Sequence, residues 1–434
     1  MPWIAGRRDV LHRITGRRDA LPWGIALVFA VAMLFVTSRD VFWNGDFYLE
    51  AYPAYDALMA GDVGRFLDRL PGYSGFTVVV GAPAALLTGA FGGVETMVFR
   101  VTALPGLAAL VAIGVALAGP LRAAGSRGWL LFLVLGAGGG LTYQALVYGH
   151  PEDLLATGAA VGAILTARSG RVSWASLLIV VAVVAKQWAV LAILPAAMAA
   201  PHKGARIGIA GVVGSVVLVG LQTQLGGPVH GAITQTGTTL FHPHQLFWPL
   251  GLPATPVPLD EVVQGARTGP AWLSRLTRPL TVGSGVAVAL LWWLRSGHGR
   301  NRDDVFGVLA LVMLLRCMLD PWDIVYYHLP VVVALAAWEA RRGREMPVLA
   351  LAVTAACWLT FITYDAHTGY GPYLAYLAWA VPLAVGLAIA LLRSPCVPRL
   401  ASAPIVRPGA GLGAPVPASA FVAPAAPAAD PVVA

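Results

Sequence analysis

The sequence predicts an all-α, polytopic membrane protein with about 12 transmembrane helices, and three observations predict it. The 434-residue chain is 58% hydrophobic and 12% charged, with a mean hydropathy of +0.73, whereas soluble domains carry roughly 25% charged residues. Apolar runs of about 18 to 22 residues, the length a bilayer demands of a helix, recur along nearly the whole chain. They lack the period-two alternation of barrel strands, and in lipid only a helix or a closed barrel satisfies the backbone. The third observation is a sorting of charge between two kinds of loop, and it becomes visible as the elements are taken in order.

Residues 1–20 are basic (Arg7, Arg8, Arg13, Arg17, Arg18) and read as a cytoplasmic N-terminus. The apolar run 21–38 is longer than a signal-peptide core and ends in Thr-Ser-Arg-Asp, so it reads as a retained first span. Residues 39–75 form a first outer loop rich in acids and aromatics. Segment 76–92 is apolar but short and rich in Gly and Pro, and reads as re-entrant or interfacial on the outer side. Spans follow at 98–119, 129–148 and 152–168. Two short runs, 173–185 and 187–200, read as a broken pair meeting at Lys186 or as a re-entrant hairpin. After 205–225 comes a long outer loop, 226–279, and then spans at 280–295, 304–319, 325–340, 346–363 and 372–392. The multi-span domain is thus 21–392, and the Pro/Ala-rich tail 393–434 reads as disordered and cytoplasmic.

With this parity both termini are cytoplasmic, and 20 of the 29 Lys/Arg residues fall on inner segments, as the positive-inside rule requires. The expected location is the plasma membrane. The net charge of +8 is explained by this bias, so no nucleic-acid partner is expected. No Walker or GxGxxG sequence is present, which argues against a nucleotide site. Cys317, Cys357 and Cys396 are far apart, and the first two lie in apolar runs, which argues against a disulfide framework or a metal cluster. No cofactor is expected and no divalent metal is indicated.

The outer segments hold the residues suited to chemistry. Asp46, among Phe42, Trp43, Phe47 and Tyr48, is the general-base candidate: a carboxylate beside aromatic faces suits a sugar or a lipid headgroup. Asp40 stands nearby. Glu152 and Asp153 follow Pro151, which is also ordinary chemistry for a helix start. His150 is not explained by capping. Lys186 lies between apolar runs, where an ionisable group is expensive, and its expected task is to bind an anion; Gln187 and Trp188 adjoin it. Arg316 is either an anion-binding guanidinium or the i,i+4 partner of Asp320. Asp323, Tyr326, Tyr327 and His328 add donors and stacking faces. His242 and His244 lack a third zinc ligand nearby in sequence, so His244 is read as a contact to phosphate or hydroxyl. Asp365 and His367 carry no assigned role.

An acid-bearing first outer loop after span one, about a dozen spans, and basic and aromatic groups gathered outside resemble the GT-C superfamily of membrane glycosyltransferases. Asp46-Phe47-Tyr48 with Ala57-Leu58-Met59-Ala60-Gly61-Asp62, followed by segment 76–92, is similar to the polyprenyl-phosphate-mannose-dependent α-1,2-mannosyltransferases (glycosyltransferase family 87). Gly149-His150-Pro151-Glu152-Asp153, Lys186-Gln187-Trp188 and Asp320-Pro321-Trp322-Asp323 with Tyr326-Tyr327 look like segments of its actinobacterial relatives. The likeness covers roughly residues 20–392; where the family has a Tyr-Pro-Pro-like entry, this chain has Tyr73-Ser74-Gly75-Phe76.

The resemblance implies a GT-C fold and a polyprenyl-phosphate sugar donor, mannose first among the sugars, used on the extracytoplasmic face. It implies a lipid or glycan acceptor deprotonated by Asp46 for an inverting displacement. Lys186, Arg316, His150 and His244 would hold the donor phosphate. Asp40, Glu152, Asp153, Gln187, Trp188, Asp320, Asp323, Tyr326, Tyr327 and His328 would line the substrate site. Two other classes fit the composition: a transporter or lipid flippase, and a lipid-linked polysaccharide polymerase or ligase.

Overall fold

A chain this apolar pairs its backbone within helices, and the computed structural model shows how far that goes in residues 20–40, 45–71, 74–200, 202–224, 240–253, 265–296, 302–363 and 369–393, the ones it describes. The basic N-terminus, the tail beyond 393, most of 226–264, and the positions of Phe42, Trp43, Asp365 and His367 lie outside them. Helix α1 spans Ala20–Asp40. A π-helical turn, Phe47–Ala51, leads into α2 (Tyr52–Met59), and Asp62 caps α3 (Val63–Asp68) by accepting from the Arg65 amide at 2.9 Å. Helical Ser74–Phe76 and a π-helical turn, Thr77–Gly81, continue into α4 (Ala82–Gly89). Next come α5 (Glu95–Ala123), α6 (Trp129–Gly136), α7 (Gly139–Val147), α8 (Pro151–Arg168) and α9 (Val172–Ala185).

After Lys186, a 3-10 turn (Gln187–Ala192) leads to α10 (Ile193–Met198), and α11 follows at Gly204–Gln224. A small antiparallel sheet joins β1 (Leu240–Phe241), β2 (Leu252–Pro253) and β3 (Arg267–Thr268), with β3 in the middle. Then α12 (Ala271–Ser296), α13 (Asp304–Leu319), a 3-10 turn (Val325–His328), α14 (Leu329–Arg341), α15 (Val348–Cys357) and α16 (Gly371–Arg393) complete the fold. Helix α12 begins nine residues before the expected span at 280 because Arg275 and Arg278 hide its first turns from a hydropathy reading. The expected span 129–148 is two helices: Gly138, at φ 85°, breaks it.

Among the described residues, four helical stretches are long and apolar enough to cross a membrane: Ala20–Thr37, Glu95–Ala123, Trp129–Val147 (through its break) and Gly371–Arg393. Shorter apolar helices include Thr77–Gly89, Val172–Ala185 and Gly204–Leu218. The centre of the fold is built from α8, α13 and α14, which are buried on nearly every face: 15 of the 18 residues of α8 are enclosed. Small residues allow this. Where α5 crosses α6, a Cβ on Gly114 would come within 2.4 Å of the Leu133 carbonyl, so the backbones approach as only glycine permits.

These central helices have two unlike ends. At one end Arg168 closes α8 and pairs with Asp303, while Arg342 reaches Asp304 at 2.6 Å. At the other end lie the start of α8, the break at Lys186, the end of α13 and the start of α14. Residues 240–253 meet that same end: the His242 amide donates to the Pro321 carbonyl at 2.9 Å, and the Leu246 amide to that of Met318 at 2.8 Å. An 18-residue helix such as α8 separates the two ends by roughly 27 Å, close to the hydrocarbon thickness of a bilayer.

Candidate functional site

Asp46 is positioned by backbone. Its amide donates to the Tyr148 carbonyl at 3.0 Å, at the corner between α7 and α8. Gly149 makes the approach possible: its φ is 82°, and an added Cβ would meet the Phe47 amide nitrogen at 2.5 Å. Phe47 then locks the turn by packing edge-on against Phe99 of α5, with ring centroids 5.0 Å apart.

The Asp46 carboxylate opens a chain of charge-assisted contacts. His150 Nε2 lies 2.8 Å from Asp46 Oδ2, and His150 Nδ1 lies 2.7 Å from Glu152 Oε1. The Lys186 ammonium donates to that same Glu152 oxygen at 2.7 Å and lies 3.0 Å from Asp153 Oδ2. Trp188 Nε1 donates to Asp153 Oδ1 at 2.6 Å. The Glu152 side chain is fully buried, whereas that of Asp46 is 38% exposed, so the network runs from a dry interior to an open end. The local sequence explains the layout. Pro151 starts α8 and puts Glu152 and Asp153 in its first turn. Lys186, at φ −150° and ψ 132°, ends α9 in an extended conformation and faces those two acids.

His150 does not cap α8 through its side chain; it bridges two carboxylates instead. Burial and the Lys186 ammonium oppose its protonation, but Glu152 and Asp46 outweigh them and push its pKa up to about 9. At neutral pH it is therefore an imidazolium donating at both nitrogens. Asp46, Glu152 and Asp153 thus share two basic partners, His150 and Lys186. Asp46 is the most exposed of the three acids. Its Oδ1 has no protein hydrogen bond among the described residues.

Aromatic rings wall the site. Tyr326 stacks on the His150 ring at 4.9 Å and packs against Tyr148 and Tyr327. Arg316 lies over Tyr327, its Cζ 4.1 Å from the ring centroid, and 5.7 Å from that of Trp188. Its Nε is 3.8 Å from Asp320 Oδ2, and Nη1 donates to the Tyr327 carbonyl at 3.4 Å, so most of its five donors are uncommitted. Burial pushes the Asp320 carboxyl up against the pull of Arg316 and, behind it, Arg278. An apolar groove of about 470 Å³, lined by Val190, Ile193, Val212 and Val216, opens beside the Lys186–Trp188 break.

The structure thus brings together Asp46, His150, Glu152, Asp153, Lys186, Trp188, Arg316, Asp320, Tyr326 and Tyr327. Gln187 begins the exposed side of the 3-10 turn, and Asp40 ends α1 with its side chain outside the described ones. Asp323, His328 and His244 go elsewhere, into a second, fully enclosed cluster. Tyr376 Oη is 3.3 Å from His328 Nε2, and His328 Nε2 is 3.8 Å from Asp323 Oδ2. His244 Nδ1 is 3.0 Å from His242 Nδ1, and its ring packs 4.1 Å from Phe361. Burial pushes His242 down to about 3 and drives His244 down as well. Both rings are neutral, which gives His244 no charge with which to hold a phosphate.

Sequence reasoning passed over Tyr148 and Arg278, named Gly149 only as part of a motif, and gave Glu50 no role of its own. Desolvation, and after it the Asp46 charge, pushes the Glu50 carboxyl up. His150, Glu152 and Asp153 have donor atoms close enough together to grip a metal, but Lys186 already supplies the cation between the two acids.

Fold and site define an all-α chain with several helices able to cross a membrane and an ionised cluster where its central helices end. Compared as a sequence and as a fold, the chain matches no family model, no curated protein and no solved structure.

Proposed function

We propose that this protein is a multi-span membrane glycosyltransferase that moves a sugar, mannose first among the candidates, from a polyprenyl-phosphate donor to a lipid or glycan acceptor. In this reading about 12 helices span the plasma membrane, both termini are cytoplasmic, and the Asp46 cluster faces outward. The observation that carries the proposal is the Asp46–His150–Glu152–Lys186 chain, which ends at the one acid of the three that is substantially exposed.

Asp46 Oδ1 takes the proton of the acceptor hydroxyl as that oxygen attacks the anomeric carbon. His150 holds the other carboxylate oxygen and fixes its direction. The bond from sugar to phosphate breaks on the opposite face, and the phosphate leaves with growing negative charge. Arg316, with donors to spare, takes that charge. Lys186 does not: its ammonium is committed to Glu152 and Asp153, and it keeps the acids at the start of α8 in place. Tyr326 and Tyr327 offer faces for a sugar ring, and the groove along Val190 and Val216 suits an isoprenoid chain.

The break at Lys186 favours a second reading, since unwound helices carrying an ion pair also mark transporter sites. One experiment separates the two. Purified protein is given labelled polyprenyl-phosphate mannose and a membrane lipid extract, and transfer is measured. Transfer lost in a folded Asp46→Asn variant supports the glycosyltransferase; full transfer in that variant rejects Asp46 as the base. Solute or lipid movement in proteoliposomes without any transfer establishes the transporter.

A further inference from the structure

The second cluster has no part in the reaction above, yet it gathers a metal-binding donor set. Cys317 near the end of α13, Asp323 in the following turn and His328 at the entry to α14 place one ligand atom each within 4.8 Å of one another, and all three residues are buried. Neither Asp323 oxygen has a hydrogen-bond partner, nor has His328 Nδ1, although both side chains are wholly enclosed. A buried carboxylate with neither ion pair nor hydrogen bond is costly, and a structure keeps one only where something compensates it. No Lys or Arg forms a close ion pair with it among the described residues: the contact to His328 is 3.8 Å long, and Arg316, whose charge reaches Asp323, turns its guanidinium to Asp320 and the Tyr327 carbonyl.

We propose that Cys317, Asp323 and His328 form a binding site for a divalent zinc ion, separate from the Asp46 cluster and with a structural role. Three arguments converge. Thiolate, imidazole and carboxylate are the zinc donor set, and a hard-cation site would use oxygen alone. A divalent ion with one thiolate and one carboxylate is electrically neutral, which a dry interior demands. The ligands lie within twelve consecutive residues, so one ion clamps the turn that carries Arg316, Asp320, Tyr326 and Tyr327. His244, whose Nε2 has no hydrogen-bond partner and whose ring packs on the same Phe361 and Tyr376 as His328, supplies a candidate fourth donor. Binding displaces the Cys317 thiol proton to solvent and replaces the weak contact of Cys317 Sγ to the Tyr327 carbonyl at 3.3 Å.

The test uses full-length protein in detergent, stripped with a chelator and titrated with zinc in competition with a chromophoric chelator. One equivalent is expected to bind and to raise the melting temperature. Cys317→Ser and His328→Ala are expected to lower affinity at least ~10-fold, the scale of losing a ligand's support, whereas Glu152→Gln leaves binding unchanged. Cobalt substitution of the wild-type protein keeps the test decisive if these variants do not fold. A thiolate-to-cobalt charge-transfer band, with Cys317 protected from alkylation, supports the site. Cobalt binding without that band, zinc bound equally well by Cys317→Ser, or no zinc retained at all overturns it.

Discussion

The two polar clusters in this chain keep their groups inside an apolar fold by opposite means. Around Asp46, His150 and Lys186 each meet two acids at 2.7 to 3.0 Å, and the series ends at a carboxylate that is 38% exposed. Around Asp323, the imidazoles of His242 and His244 are neutral, the acid has no close cation, and several polar atoms have no partner. The first arrangement pairs its cations closely with acids and opens outward; the second is enclosed, and its acid has no close cation. Charge compensated by neighbouring side chains is available for chemistry at its open end, and donors left uncompensated are available for a ligand.

The sharpest way to break this contrast is by activity. Asp46→Asn should lower transfer by ~10²- to 10⁴-fold, the span of general acid–base catalysis, with little change in melting temperature. Cys317→Ser should change the rate far less; a larger loss there than at Asp46 would reverse the roles of the two clusters. Stability comes next. Lys186→Met leaves Glu152 and Asp153 buried without their cation and should cost roughly 3–5 kcal/mol in denaturation measurements. In chelator-treated protein Asp323→Asn should cost less than about 1 kcal/mol, since removing the charge breaks no close ion pair. Equal losses at the two sites would erase the distinction.

Gly149→Ala should cost roughly 1–3 kcal/mol, because it strains a left-handed residue and drives a Cβ into the turn of Asp46. Hydrogen exchange at the Asp46 amide should quicken with it. A pH dependence of stability is expected as well. His150 is raised from 6.5 to about 9 on folding, so its contribution to stability is fully present below pH 6.5. That contribution falls as the pH climbs and is lost above about 9. Thermal melts across this window should show the decline in the wild type and a flatter profile in His150→Gln; parallel profiles would mean that His150 is not protonated in the fold.

Much of this was legible in the sequence, and the rest fails for physical reasons. The break at Lys186 is readable because the apolar runs on either side are each too short for a bilayer. His150 and Lys186 stand out because capping and solvation do not explain them. Their partners do not stand out: Asp46 and His150 are 104 residues apart, and Lys186 is 34 from Glu152, so only the fold shows that Lys186 is already neutralised. The glycine-rich stretch Gly136–Gly140 is where α6 and α7 part, and a hydropathy reading that takes 129–148 as one span does not register it. The cysteines were read against one another, whereas the cluster they enter joins one cysteine to an acid and a histidine from the next twelve residues.

The bond from the Asp46 amide to the Tyr148 carbonyl has a consequence for how such a protein diversifies. In the proposed function Asp46 is the base; it is fastened to the corner of a buried helix pair and its turn is held by Phe47, so its location does not depend on α2 and α3. Helices α2 and α3 and the turn between them can drift in length and character while the reacting carboxylate stays still. Under the proposed function, recognition of different acceptors can therefore evolve in that stretch as an exchangeable part, leaving the Asp46 corner inherited unchanged.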